Sequence, residues 1–232
     1  MIFVVAEIGV NWDGDVSLVK DMMMKSKEAG CNAVKFQSFN KEIIKDHPER
    51  KRLLKSSISS DNVDIINEIA NDVGIEWFST PMYSEAVEFL DPYVRRYKIR
   101  ELDGRKLLHN QSSNLIESIL ETGKEVYVSS AESPRGTKYF KNDQIKWLYC
   151  IPKYPTNIND IDFSNLKEFY GYSNHCPEIV VPIAATILGA KLIEIHITSD
   201  KRKNYFDNNV SFDYLELFQL VKFLHQVEKI KK

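Results

Sequence analysis

The chain has 232 residues, 43% of them hydrophobic, and its 31 lysines and arginines against 33 aspartates and glutamates leave a formal charge of −2. This balance lacks the basic excess of a nucleic-acid binder, and no apolar run approaches the ~18 residues a membrane span needs. The length fits a single α/β barrel, which runs to roughly 200 to 250 residues, better than two separate domains.

Runs rich in Val, Ile, Tyr and Phe alternate with segments of helical period, the pattern of repeated βα units around a parallel sheet. Eight such runs begin at Ile2, Asn32, Ile75, Arg95, Glu125, Lys146, Gly171 and Lys191. Helices are predicted over 16–29, 61–73, 84–90, 114–122, 163–169, 178–188 and 212–229. Gly30, Gly74, Gly123 and Gly189 follow four of them where a left-handed C-terminal cap belongs. Eight units predict a closed (β/α)8 TIM barrel, one domain over 1–232. The fifth unit is short: Pro134 and Gly136 interrupt the segment after the fifth strand, so the barrel is expected to lack one outer helix there. The basic stretch 49–55 reads as a long loop with a helical turn and a solvated face. The opening MIFVVAEIG reads as a strand rather than a leader. Cys31, Cys150 and Cys176 lack paired spacing, so free thiols and a cytoplasmic location are expected.

In a parallel barrel, chemistry gathers where the strands end. The residues ending these strands are Glu7, Lys35, Gln37, Ser79, Thr80, Lys98, Ser129, Ser173, His175, Glu194 and His196. Residues two apart share a face, so Lys35/Gln37, Ser173/His175 and Glu194/His196 can each point inward as pairs. One strand-end lysine or serine is ordinarily a solvated group, but seven strands feeding polar groups to one rim make a binding site. Two lysines among hydroxyls and amides, without a Gly-rich phosphate loop, suit a small anion. Imidazoles on neighbouring strands either share one ion or bond within a wet barrel mouth. Two ligands are too few for zinc, whereas octahedral Mn2+ or Mg2+ completed by water and substrate oxygens fits.

The strings AEIGVNWDGD, AVKFQSF, FSTP, YKI, LYCIPKYPT, GYSNH and IEIHITSD, in that order, resemble the sialic acid synthase family across nearly the whole chain. The resemblance implies a barrel that condenses phosphoenolpyruvate (PEP) with an open-chain sugar aldehyde, N-acetylmannosamine or a relative, to give a nonulosonic acid and phosphate. It implies His175 and His196 as ligands of a divalent cation, Mn2+ or Mg2+. Glu7, Lys35 and Lys98 fall on catalytic positions. Thr80, Ser129, Tyr154 and Ser173 fall among the groups that hold PEP, and Gln37, Asp103 and Asp207 on sugar-contacting positions. Glu194 is expected to orient His196 or a lysine from behind.

Departures from the family pattern are expected to change binding. Glu101 replaces a phosphate-binding serine and would repel an anion unless it turns away or pairs with Arg100. Asp103 replaces a glutamate, Pro152 a polar residue, Asn174 an aspartate and Trp12 a histidine. The sequence ends soon after the eighth helix, so the family's C-terminal antifreeze-like domain is not expected; a homo-oligomer is. Two other readings compete: a metal-dependent aldolase or lyase on another sugar acid, and a non-catalytic barrel subunit of a glycan-biosynthesis complex. The buried charge expected at the rim argues against the last, because a scaffold has no need of it.

Overall fold

The computed structural model describes residues 1–231. Eight parallel strands close into a barrel in sequence order. They are β1 (Phe3–Gly9), β2 (Ala33–Ser38), β3 (Glu76–Pro81), β4 (Arg96–Ile99), β5 (Glu125–Ser130), β6 (Ile145–Cys150), β7 (Gly171–Asn174) and β8 (Leu192–His196). The helices are α1 (Val16–Ala29), α2 (Arg50–Lys55), α3 (Val63–Val73), α4 (Glu85–Leu90), α5 (Glu101–Leu108), α6 (Asn114–Glu121), α7 (Val180–Ile187) and α8 (Tyr214–Ile230). The expected (β/α)8 architecture is therefore present.

Local chemistry explains the boundaries. The Asp15 side chain accepts from the backbone N–H groups of Ser17 and Leu18 to start α1, and Gly30 ends it in the left-handed region at φ 94°. A reciprocal Asp213/Glu216 capping box starts α8. Helices cover the strands outside and side chains fill them inside, so Val4, Val5, Ala6, Val34, Phe36 and Phe78 are all fully buried. Met22 and Met23 of α1 join this core, while Met24 faces outward.

Between β5 and β6 no helix occurs among the described residues, as the broken fifth unit predicts. The helix expected over 163–169 is instead a single 3₁₀ turn, Leu166–Glu168. Its apolar residues Phe163, Leu166 and Phe169 recur every third position, the period of that tighter turn. Phe163 and Phe169 cover β6 from outside, with ring centroids 6.1 and 5.3 Å from Tyr149. Helix α5 was not anticipated; it follows β4 directly. Gly104 lets it lie against β5, because a Cβ there would stand 2.8 Å from the Ser129 carbonyl oxygen.

Register places the chemistry. Glu7 is level with Lys35 on one side and His196 on the other, Gln37 with Thr80, and Ser173 with Glu194. At the opposite end of the barrel Arg96 bonds Glu76 at 2.6 Å, Glu125 at 2.5 Å and the Tyr127 hydroxyl, and lies over the Phe3 ring.

Candidate active site

A cavity of about 350 Å³ opens at the C-terminal ends of the strands. Its lining brings together Glu7, Lys35, Gln37, Thr80, Lys98, Ser129, Tyr154, Ser173, His175, Glu194, His196 and Asp207. Of the strand-end and family-matched residues singled out in the sequence, Ser79 stands outside it, with its hydroxyl 2.8 Å from that of Ser38, and so does Asp103. Its carboxylate is turned to Arg100 Nε at 2.5 Å on the first turn of α5, which leaves it no face toward the cavity.

Two buried ion pairs form the cavity floor, and Glu7, Lys35, Lys98 and Glu194 are each 4% exposed or less. Lys35 Nζ lies 2.7 Å from Glu7 Oε2 and donates to Thr80 Oγ1 at 2.9 Å. Lys98 Nζ lies 2.5 Å from Glu194 Oε1, to which Ser173 Oγ also donates at 2.7 Å. Glu194 thus serves a lysine, one of its two expected partners. Burial disfavours its charge, but Lys35 and Lys98 outweigh that and hold the carboxyl down at about 2. Burial dominates at Glu7 and raises its pKa despite Lys35. At Lys98 burial, aided by Lys35, lowers the pKa despite Glu194. Ser129 Oγ is buried without a hydrogen-bond partner among the described residues.

His175 and His196 face each other with ring centroids 5.5 Å apart. Each turns Nδ1 toward a protein oxygen: the Ile151 carbonyl at 3.0 Å for His175 and Asp207 Oδ2 at 3.3 Å for His196. That leaves both Nε2 atoms directed at one point, which the Tyr154 hydroxyl reaches at 2.7 Å from His175 and 3.2 Å from His196. More than half of Tyr154 is exposed, so its ring lies at the mouth while its hydroxyl end is inserted. Burial, with the neighbouring His196, pushes His175 down to about 3, so its ring is neutral.

This donor set fits a divalent cation. Imidazoles whose Nδ1 atoms are held from behind offer free Nε2 lone pairs. No cluster of three or more His, Cys, Asp and Glu suited to a metal occurs among the described residues. An ion held by two imidazoles must therefore draw its other ligands from water and substrate, the habit of octahedral rather than tetrahedral ions.

Glu101 does line the cavity, and it pairs with Arg105 Nε at 2.8 Å rather than with Arg100. Pro152 also lines the cavity, where it brings no side-chain donor. Sequence reasoning passed over Cys150 and Met82. Cys150 ends β6, the one strand from which no residue was read into the polar ring, and its Sγ lies 3.8 Å from His175 Nδ1. Met82 follows β3 and is apolar, so nothing in its type marked it.

Comparison with known proteins agrees with this arrangement. The model of the NeuB family matches residues 22–232. The N,N'-diacetyllegionaminic acid synthase of Legionella pneumophila is 31% identical over 98% of this chain and 72% of its own length. Human N-acetylneuraminate-9-phosphate synthase is 29% identical over 98% of this chain and 70% of its own. The crystal structure of the N-acetylneuraminic acid synthetase from Leptospira borgpetersenii superimposes with a TM-score of 0.85 at 27% identity, over 99% of this chain and 85% of that one. With the barrel, the ring of strand-end groups and this match along most of its length, the chain belongs to the NeuB family.

Proposed function

We propose that this chain is a synthase that condenses PEP with a sugar aldehyde to give a nonulosonic acid and inorganic phosphate. The observation that carries the reading is the meeting of two buried ammonium groups and two imidazoles in one cavity. The relatives named above, both acid synthases, support it.

The chemistry assigns tasks to these residues. A bond forms between C3 of PEP and the aldehyde carbon, while the aldehyde oxygen gains a proton. Water then adds at C2 and loses a proton, the bond from C2 to the bridging phosphate oxygen breaks, and phosphate departs with the remaining proton of the C2 hydroxyl to leave a 2-keto acid. Lys35 and Lys98 hold the PEP phosphate and carboxylate by charge-assisted bonds, with Thr80, Ser129 and Ser173 as neutral donors. Ser129, buried with no partner, gains most from an incoming anion. Glu7, whose charged form burial disfavours, is the group placed to pass protons between water and the developing alkoxide. Gln37 and Asp207 face the acceptor. His175 and His196 hold a divalent cation, Mn2+ or Mg2+, which when bound supplies a Lewis acid for the aldehyde. The buried, unbridged Cys31, Cys150 and Cys176 support a reducing compartment such as the cytoplasm, and no helix among the described residues is long and apolar enough to cross a membrane.

The test is phosphate release from PEP with Mn2+ across a panel of aldoses. Release that depends on the aldose is expected. Cleavage of a sugar acid without PEP would favour the aldolase reading, which the anion-repelling position of Glu101 supports.

A further inference from the structure

A cavity of about 460 Å³ lies at the opposite pole of the barrel, where β6, β7 and β8 begin. It is larger than the cavity at the mouth and within the roughly 300 to 1,000 Å³ range of ligand sites. Four lysines reach it from four segments. Lys141 comes from the stretch between β5 and β6 that forms no helix, Lys146 from β6, Lys167 from the 3₁₀ turn and Lys191 from the position before β8. None of the four meets a carboxylate at ion-pair distance among the described residues, whereas Lys124, Lys153 and Lys201 elsewhere on the surface each do. Phe140 and Tyr170, both half-buried, line the same cavity. The Tyr170 N–H donates to the Trp147 carbonyl at 2.8 Å and the Lys191 N–H to the Tyr170 carbonyl at 2.9 Å, which holds the three strand starts side by side. The Lys146 and Lys191 ammonium groups accordingly stand 5.7 and 5.9 Å from the centre of the Tyr170 ring.

Like charges gathered round one concavity repel one another and focus a positive potential into it, a strain that packing does not ask of surface lysines. The acidic groups of the lining do little to relieve it. Glu168 is taken by Arg135 at 3.4 Å and by the Ser133 hydroxyl, which leaves Asp143 alone. A bound anion removes the repulsion, and ammonium groups on flexible stems suit phosphate. The half-buried rings offer flat faces on which a base can stack. We propose that this cavity binds a nucleoside phosphate, with its phosphates among Lys141, Lys146, Lys167 and Lys191 and its base against Phe140 and Tyr170. Leu188 and Gly189 bring the negative end of α7 to the rim, a place for the N–H donors of the base rather than for phosphate. The site stands apart from the barrel mouth and does not depend on the synthase reading.

The test is titration calorimetry of the whole chain with ATP and with tripolyphosphate, without divalent cation and with excess PEP in both solutions to fill the proposed active site. ATP is expected to bind, and tripolyphosphate at least about fivefold more weakly, the scale of one base stacked on an aromatic ring. Lys141→Glu combined with Lys167→Glu should weaken ATP about tenfold or more through two lost charge-assisted contacts. Both lysines are exposed and tolerate the change, with circular dichroism reporting the fold. Tyr170→Leu gives a second reading: it should lower the affinity for ATP and leave that for tripolyphosphate unchanged. No ATP binding, an ATP affinity unmoved by the charge reversals, or tripolyphosphate binding as tightly as ATP overturns the site. Equal losses for both ligands in Tyr170→Leu overturn it too, because the base contact is then absent.

Discussion

The Tyr154 hydroxyl stands 2.7 Å from Nε2 of His175, at the point His196 also faces. A cation bound by both rings must take that point, so hydroxyl and ion compete. Tyr154→Phe removes a hydrogen bond worth about 1 kcal/mol from the ion-free state. It should tighten Mn2+ binding about fivefold, read from the electron paramagnetic resonance signal of free Mn2+. Weaker binding in the variant would make the hydroxyl a ligand instead.

Asp207 sits behind His196 Nδ1 and also lines the cavity proposed to take the acceptor. Groups that orient a ligating histidine commonly govern metal affinity by 10- to 100-fold. Asp207→Asn should therefore weaken Mn2+ binding by roughly that factor in calorimetry without any sugar present. A purely sugar-contacting role predicts unchanged Mn2+ affinity and a raised KM for the acceptor alone.

Glu194 neutralises Lys98 in a fully buried pair. Removing one partner strands the other charge, so Glu194→Gln should cost about 3 kcal/mol in denaturant unfolding at pH 7. The acid limb carries the sign. A carboxyl held at about 2 against an ordinary 4.5 adds stability that is complete above pH 4.5 and lost as pH falls toward 2. The gap between wild type and variant should close over that interval, and a gap independent of pH would refute the assignment.

Glu101 presents a carboxylate to a cavity proposed to hold a multiply charged anion. Glu101→Ser should raise PEP affinity by about threefold or more through lost repulsion. Titration calorimetry with PEP alone reads this, and lower affinity in the serine variant would show that Glu101 favours the anion.

Gly104 lets α5 touch β5, and an added Cβ would also press within 2.9 Å of Val128 Cγ1. Gly104→Ala should destabilise the fold by about 1 to 3 kcal/mol. Because the clash bears on the Ser129 backbone, KM for PEP should rise as well. A neutral effect on both would mean that α5 can slide away freely.

The barrel was legible because it is written in period and punctuation. Alternating strand and helix patterns and the glycines after α1 and α3 specify their units locally. The inward pairs were legible for the same reason, since spacing by two fixes a shared face. Tyr154 was not, because it lies on a loop beyond β6 and only the family resemblance marked it. Helix α5 was missed because no capping side chain marks its start and Gly104 sits in its middle, although Glu101 and Asp103 in the first turn and Arg105 and Lys106 in the last suit the helix dipole; packing against β5 decides the matter. Asp103 shows the limit of position-by-position transfer: three residues from Arg100 on a helix, it finds a neighbour closer than any sugar.

Arg96 ties the first residues of β3 and β5 together at the pole away from the chemistry. It does so from β4, next to β5, which like β6 is followed by no α-helix among the described residues, so electrostatics there help to fasten the barrel where its outer layer is thinnest. The far end of the cylinder thus carries a share of stability that selection can retune without touching the side chains at the mouth.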